Sequence, residues 1–389
     1  MHSIRTYNAI SPTGLSLFPS DSYHVDSVVG EPDAIMLRSH NLHQESFPDK
    51  VKAIARCGAG VNNIPIEQCT EQGIVVFNTP GANANAVKEL VLAGMLMSSR
   101  NLSTAAEFCQ NLDQSLAIED FNKLVEGGKK RFVGSELTGK TLGVIGLGAI
   151  GANVAHAALA LGMKVVGYDP VLSVDAAWRL SSEVERADNL PSLLARCDFV
   201  TVHVPANEYT VNMLNAENLE QAKRGLVILN FARGTIVEEN AIVSEIESGR
   251  IHRYVSDFPS AQLMGREQVI LLPHLGASTG EAEDNCAQMA ARQLMDFLEN
   301  GNIKNSVNFP EIHLSRTEGH RIAFANDNVP KVLSTVLAVL SDMDINVIDM
   351  LNKSRGEIAY TILDVEHLPT DDLIQAIENI EHVFHVNVF

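Results

Sequence analysis

The run VILLPHLGAS, residues 269–278, closes an apolar stretch with Pro273 and then presents His274 among small residues. Imidazole changes protonation near neutral pH, so a histidine at a strand end can exchange a proton with a hydroxyl or carbonyl oxygen. A second run, GLVILNFARG, sets Arg233 just past another buried-looking strand. Its planar guanidinium can hold a carboxylate through two parallel hydrogen bonds. Taken alone, His274 reads equally well as a structural loop histidine and Arg233 as a surface arginine. A third run is more specific. Gly146-Leu147-Gly148-Ala149-Ile150-Gly151 follows the strand TLGVI and opens an Ala-rich segment. In that setting Gly146 permits a tight turn, Gly148 lets the backbone approach a diphosphate, and Gly151 lets helix and sheet pack closely. The diphosphate would meet the free N–H groups of the helix start, at Ala149 and Ile150. Asp169 ends the next strand, 18 residues after Gly151. A carboxylate there hydrogen-bonds ribose hydroxyls and repels a ribose phosphate, so NAD is expected over NADP.

These residues need strands to carry them. From residue 140 onward, KTLGVIG, MKVVGYD, DFVTVHVP, RGLVILNFA, RYVSDF and VILLPH read as strands, with helix-like segments between most of them. Such alternation predicts a parallel, doubly wound sheet with its site at the C-terminal strand ends. The first ninety residues show a similar rhythm in DAIMLRS, VKAIARCGAG and GIVVFNTPG. Two long helix candidates, 88–112 and 279–301, bracket the second series. From His320 the order is βαββαβ, a ferredoxin-like signature. The expected fold is therefore α/β, with two doubly wound parallel-sheet domains (Rossmann-like or flavodoxin-like) and a C-terminal ferredoxin-like domain. The expected boundaries are 1–97 with 290–310 for a substrate-binding domain, 98–289 for the dinucleotide domain, and 318–389 for the last.

Composition narrows the class. The 389 residues carry a formal net charge of −19, which disfavours nucleic acid and anionic membranes as partners. Five scattered cysteines without a CxxC pair argue against disulfides or zinc and for a reducing compartment. No apolar run reaches membrane-span or leader length, so a cytoplasmic enzyme without a metal is the expectation.

GVIGLGAIG, NFARGTIVEENAI, PHLGAST and PGANANAVKELVL together resemble the D-2-hydroxyacid dehydrogenases. KNSVNFP and the tail after it resemble the branch of that family with an ACT-type regulatory domain. The resemblance implies NAD-dependent oxidation of a phosphorylated 2-hydroxy acid, 3-phospho-D-glycerate, to its 2-oxo acid at the entry to serine synthesis. His274 would be the acid/base, and Arg233 would hold the carboxylate and polarise the C2 oxygen. Asp257, Ala232, Gly276 and Ala277 would lie on the nicotinamide side, and Val204 and Pro205 on the adenosine side. For the substrate, Arg38 is the candidate for the phosphate, beside Ser39. The turn Gly58-Ala59-Gly60 would receive the carboxylate on its N–H groups, with Asn83 nearby and Lys88 as a weaker candidate. Asn328 and Asn346 match effector-contact positions, which implies L-serine as effector and a homodimer or homotetramer joined through these modules. Lys331 stands where the family often has glycine. Two alternatives stay open: another D-2-hydroxyacid dehydrogenase, of glycerate or glyoxylate type, or a non-catalytic NAD-sensing protein.

One expected residue is missing. In the family a glutamate pairs with the catalytic histidine, commonly five residues after the nicotinamide-side aspartate. Gln262 occupies that position, or Ala261 if Phe258-Pro259 sets the register. Glu267 is the nearest acid, seven residues before His274. Gln262 as a neutral partner, Glu267 through an altered loop, or an acid from elsewhere are the three readings.

Overall fold

The computed structural model describes residues 1–389 apart from the Asp175 side chain. The chain divides into two compact units, Met1–Asn83 with Gly280–Phe389, and Ala84–Thr279.

The first unit holds two sheets. Strands β1 (His2–Thr6), β2 (Tyr23–Asp26), β3 (Ala34–Leu37), β4 (Ala53–Arg56) and β5 (Val75–Phe77) form a parallel sheet in the order β2-β1-β3-β4-β5. Every residue of β3 and β5 is buried, as expected where a parallel sheet is covered on both faces. HSIRT and YHVD, the sequences of β1 and β2, are too mixed to announce strands, and sequence reading passes over them. Strands β13 (His320–Asp327), β14 (Val347–Arg355), β15 (Ile358–Val365) and β16 (Val383–Val388) form an antiparallel sheet in the order β14-β15-β13-β16, a ferredoxin-like arrangement.

Period-2 alternation splits β13 and β15 between two faces. Ile322, Phe324, Leu363 and Val365 pack under the helices Val332–Asp342 and Asp371–Glu378. Ala323, Ala325, Tyr360 and Ile362 instead join one core with Phe77, Phe297 and Phe309. The C-terminal module thus shares its core with the parallel sheet of the first unit. Arg321 secures the junction. Its side chain is fully buried with that of Asp364. Nε and Nη2 donate to the two Asp364 oxygens at 2.7 and 2.9 Å, and the remaining donors reach the carbonyls of Asn300, Leu314 and Ser315 at 2.9–3.0 Å. All five guanidinium donors are used.

The second unit is a seven-stranded parallel sheet. Its strands are β6 (Thr141–Ile145), β7 (Lys164–Tyr168), β8 (Val184–Arg186), β9 (Phe199–Val202), β10 (Leu226–Asn230), β11 (Ile251–Ser256) and β12 (Val269–Leu271), in the order β12-β11-β10-β9-β6-β7-β8. The strand order reverses between β6 and β9, where ligands bind in sheets of this kind. The short β8 was not expected; two of its three residues are exposed, so it carries no apolar signal.

Two expectations differ from what is found. The 88–112 helix is two helices, Ala84–Arg100 and Leu102–Gln110, because Asn101 turns left-handed at φ 51°. Its side-chain oxygen accepts from Arg253 at 2.7 Å. The unit boundaries fall at the starts of the helices Ala84–Arg100 and Gly280–Asn300, whereas 97 and 290 lie inside those helices. A hydrogen-bonded helix moves as one body, so its end is the natural place for a division.

Candidate active site

β6 delivers the glycine turn. Gly146 has φ +88°, and a Cβ there would stand 2.6 Å from the His203 carbonyl oxygen. A Cβ on Gly151 would stand 1.9 Å from the Gly146 carbonyl oxygen. The protein itself therefore requires both glycines. Gly148 is different: nothing lies within 4 Å of the position its Cβ would take. The fold tolerates a side chain there, so the bare backbone suits the close approach of a ligand. Gly148 also caps the helix Ala149–Ala160 without a side-chain bond, leaving first-turn N–H donors open. Asp169 accepts the N–H of Leu147 at 2.9 Å and that of Val171 at 3.1 Å. Each carboxylate oxygen keeps a lone pair for a ribose hydroxyl. Val204 borders Gly146, its Cγ1 2.8 Å from the same Cβ position, and the Pro205 carbonyl accepts the Thr210 hydroxyl at 2.6 Å. These residues fit a dinucleotide.

Past β10, the fully buried Asn230 builds the arginine turn. Its amide donates to the Arg233 carbonyl at 2.9 Å, and its oxygen accepts the Ala232 N–H at 3.2 Å. This leaves the Arg233 side chain exposed, with Nη1 on the Ala232 carbonyl at 2.6 Å. Phe258 spans from this turn to the histidine. A Cβ on Gly234 would stand 3.2 Å from the Phe258 Cβ, and the Phe258 ring meets the His274 ring edge-on at 5.1 Å.

His274 is held through its backbone. It is exposed and left-handed, at φ 58°, a conformation that costs a residue with a Cβ roughly 1–3 kcal/mol and collects at functional sites. Four bonds fix the loop around it. Leu272 N–H donates to Ser256 at 2.9 Å and His274 N–H to the Asp257 carbonyl at 3.1 Å. The N–H groups of Leu275 and Gly276 donate to the two Asp257 carboxylate oxygens, both at 2.7 Å. Asp257, expected to face the nicotinamide, is only 1% exposed and spends its carboxylate on this loop.

Neither candidate partner reaches the His274 ring. The Gln262 amide donates to Asn240 at 2.5 Å on the surface. Glu267 precedes β12, with its carbonyl taken by Arg253, and His274 follows the other end of that strand. The strand β12 stands between them, with Glu267 in the turn before its start and His274 beyond its end. Among the described residues no carboxylate bonds the His274 ring. Lys88 is also committed locally, to Asn85 at 2.6 Å and Glu89 at 3.7 Å.

The first unit carries the other candidates. Gly58 has φ +148°, and a Cβ there would stand 1.6 Å from Nη1 of Arg56. The Gly58 carbonyl accepts the Thr79 N–H at 3.0 Å and the Ala59 carbonyl accepts the Asn78 amide at 2.7 Å. Among the described residues the N–H groups of Ala59, Gly60 and Val61 meet no protein acceptor. Successive unbonded N–H groups make an anion-binding concavity. Arg38 forms a half-exposed ion pair with Glu283 at 2.6 Å, and its carbonyl accepts Nε of Arg56 at 3.1 Å. Asn8 accepts the N–H groups of Ser39 and His40 at 3.0 and 2.8 Å, and the Asn83 side-chain oxygen is buried without a partner. Arg56, Asn78, Glu283, Asn230 and Phe258 are not singled out as site residues by the sequence, although Phe258 adjoins Asp257, Asn230 opens NFARGTIVEENAI and Arg56 lies two residues before the glycine turn.

In the C-terminal module, Asn328 bonds Gly356 and Glu357 across the β14–β15 turn at 3.1 and 2.7 Å. Lys331 keeps a left-handed φ of 81°, the conformation glycine favours. Asn346 is exposed, its carbonyl accepting Glu366 N–H at 3.1 Å. Among the described residues no His, Cys, Asp or Glu cluster suits a metal, and no helix is long and apolar enough to cross a membrane.

Residues 92–276 match the family model described as D-isomer specific 2-hydroxyacid dehydrogenase, NAD binding domain. D-3-phosphoglycerate dehydrogenase of Haemophilus influenzae is 30% identical over 351 residues, covering 87% of this chain and 81% of that protein. The chain belongs to the D-isomer specific 2-hydroxyacid dehydrogenases. Another family member, D-3-phosphoglycerate dehydrogenase of Synechocystis, is 38% identical over 310 residues, 77% of this chain. The chain spans about half the length of that relative, 52%. In fold, the NAD+-bound 3-phosphoglycerate dehydrogenase of Entamoeba histolytica superposes with a TM-score of 0.62 at 24% identity, covering 80% of this chain and 99% of that one. The parallel sheets expected from sequence are those of this family.

Proposed function

We propose that this dehydrogenase oxidises 3-phospho-D-glycerate to 3-phosphohydroxypyruvate with NAD. The observation that carries the reading is the strained His274 at the end of β12, aimed by Asp257 beside the Arg233 turn. NAD held by the glycine turn and Asp169 would supply the hydride acceptor for C2. The His274 ring takes the C2 hydroxyl proton as the C2–H bond breaks. Arg233 grips the substrate carboxylate and polarises the C2 oxygen as it becomes a carbonyl. The N–H groups of Ala59, Gly60 and Val61 receive the carboxylate, and Arg38, with Arg56 close by, meets the phosphate. The Gly146–Gly151 turn takes the diphosphate and Asp169 the ribose. Without a carboxylate on the His274 ring, acid/base work falls to imidazole alone, and Phe258 sets its orientation.

The proposal extends to setting and control. The chain acts in the cytoplasm as a homodimer or homotetramer, and its C-terminal module is of ACT type, binding L-serine near Asn328 and Asn346. Serine added over the millimolar range to initial-rate assays tests the last point. The decisive experiment is NADH formation from 3-phosphoglycerate beside glycerate. Oxidation of the phosphorylated acid alone is expected. Equal rates with glycerate would favour the reading as a glycerate-type dehydrogenase, to which the Arg38–Glu283 ion pair already lends some weight.

A further inference from the structure

The substrate turn is held from behind. A trans peptide points its C=O and N–H in opposite directions, and the chain contains no cis bond. The Asn78 amide pulls the Ala59 carbonyl one way at 2.7 Å, so the N–H of Gly60, on the same peptide plane, is driven the other way. The Thr79 N–H does the same for the Gly58 carbonyl and thereby for the Ala59 N–H. Asn78 is in turn locked in place. Its carbonyl accepts the Gln293 amide at 3.0 Å, and its N–H donates to the Asn305 carbonyl at 3.3 Å. The Asn305 amide closes the knot by donating to the Gln293 oxygen at 2.6 Å. Gln293 is 7% exposed on a helix face otherwise made of Ala290, Ala291, Leu294 and Phe297. A buried glutamine among such residues is retained at a desolvation cost, which these two bonds offset.

We propose that Asn78 is a positioning residue for the substrate, aiming the Gly60 N–H at the substrate carboxylate, and that Gln293 braces it. The proposal rests on the reading of Gly58–Val61 as the carboxylate turn. Losing the Asn78 amide frees the Ala59–Gly60 peptide to flip, so the turn presents a carbonyl lone pair where the anion needs a donor. The loss is felt by the hydroxy acid and not by the dinucleotide, whose residues all lie in the other unit.

The test is steady-state kinetics of the full chain and of Asn78→Ala, with thermal unfolding alongside. The KM for 3-phosphoglycerate should rise about tenfold, the weight of one hydrogen bond to a charged group. The KM for NAD should stay within twofold and the unfolding midpoint within a few degrees. A substrate KM within twofold of wild type overturns the proposal. So does a parallel rise of both KM values with a lowered midpoint, the mark of a merely structural role. Should Asn78→Ala fail to fold, Gln293→Met decides the matter: a substrate KM raised about threefold upholds the brace, and an unchanged one overturns it. An inactive wild-type chain would instead defeat the functional reading on which the proposal stands, so the two failures are separable.

Discussion

The carboxylate of Asp257 is the most informative group to remove. It holds two loop N–H groups at 2.7 Å while 1% exposed. Hydrogen bonds to a charged group contribute about 1.5–3 kcal/mol each, so the pair contributes about 3–6 kcal/mol. Against this stands the left-handed backbone of His274, which costs about 1–3 kcal/mol. With both bonds the strained loop is favoured; with neither, only the two backbone bonds made by the Leu272 and His274 N–H groups oppose the strain. Asp257→Ala should let the loop relax and move the ring by an ångström or more, a misplacement that lowers turnover about 100-fold. Asp257→Asn keeps one acceptor, now neutral and contributing about 0.5–1.5 kcal/mol, which offsets part of the strain, and should lose about tenfold. The assay is NADH absorbance at saturating NAD and 3-phosphoglycerate, with circular dichroism to confirm folding. The loss should appear in kcat, with the KM for NAD little changed. A folded Asp257→Ala enzyme with kcat within threefold of wild type would refute the idea that this carboxylate aims the histidine.

Three further outcomes are expected. Glu267→Gln should change kcat by less than tenfold, under ~1.4 kcal/mol of barrier, because Glu267 lies beyond the far end of β12; a larger loss with intact binding would restore it as a partner. Glu283→Gln frees Arg38 from a half-exposed ion pair, so the KM for 3-phosphoglycerate should fall by up to about fivefold, and a rise would count against Arg38 as the phosphate ligand. Burial pushes the Asp364 carboxyl up, but Arg321 and Thr317 outweigh it and hold the carboxyl below its usual range. A depressed carboxyl contributes stability that is fully present above its unfolded value of about 3.9 and is lost as pH falls through the folded one. Unfolding midpoints of wild type should therefore drop more steeply from pH 5 to pH 2 than those of Asp364→Asn, and parallel curves would contradict the assignment.

The legible parts of this chain were those written locally. Gly146, Gly148 and Gly151 announce a dinucleotide turn because strand, glycines and helix are contiguous, and Asp169 follows at a fixed distance. The βαββαβ order of the tail is equally local. The unread parts depend on distant pairs. Asn78 and Gln293 meet across 215 residues, and no periodicity in either segment signals the encounter. The same holds for Arg38 and Glu283. Side-chain spacing points to an acid on the His274 ring, whereas the acid that fixes this residue grips the backbone. A spacing rule for side chains cannot anticipate that, because Asp257 reaches the loop through main-chain donors any sequence would offer. Strands β1, β2 and β8 were missed for a simpler reason: short and mixed, they borrow their stability from neighbouring strands.

The shared core of the first unit has a bearing on synthesis. Ile4, Phe77, Phe297, Phe309, Ala325 and Ile362 belong to one apolar cluster, so its earliest contributors leave the ribosome almost a whole chain length before its last. Domains generally fold as units as they emerge, and at about 5–20 residues per second that delay is some tens of seconds. Meanwhile residues 84–279 are contiguous and hold everything their own sheet requires. The nucleotide-binding unit is thus expected to fold first, while the amino-terminal strands wait, apolar and incomplete, for the tail that closes them. The delay leaves those strands without their core partners for longer than any other part of that cluster, the interval in which a holding chaperone would act.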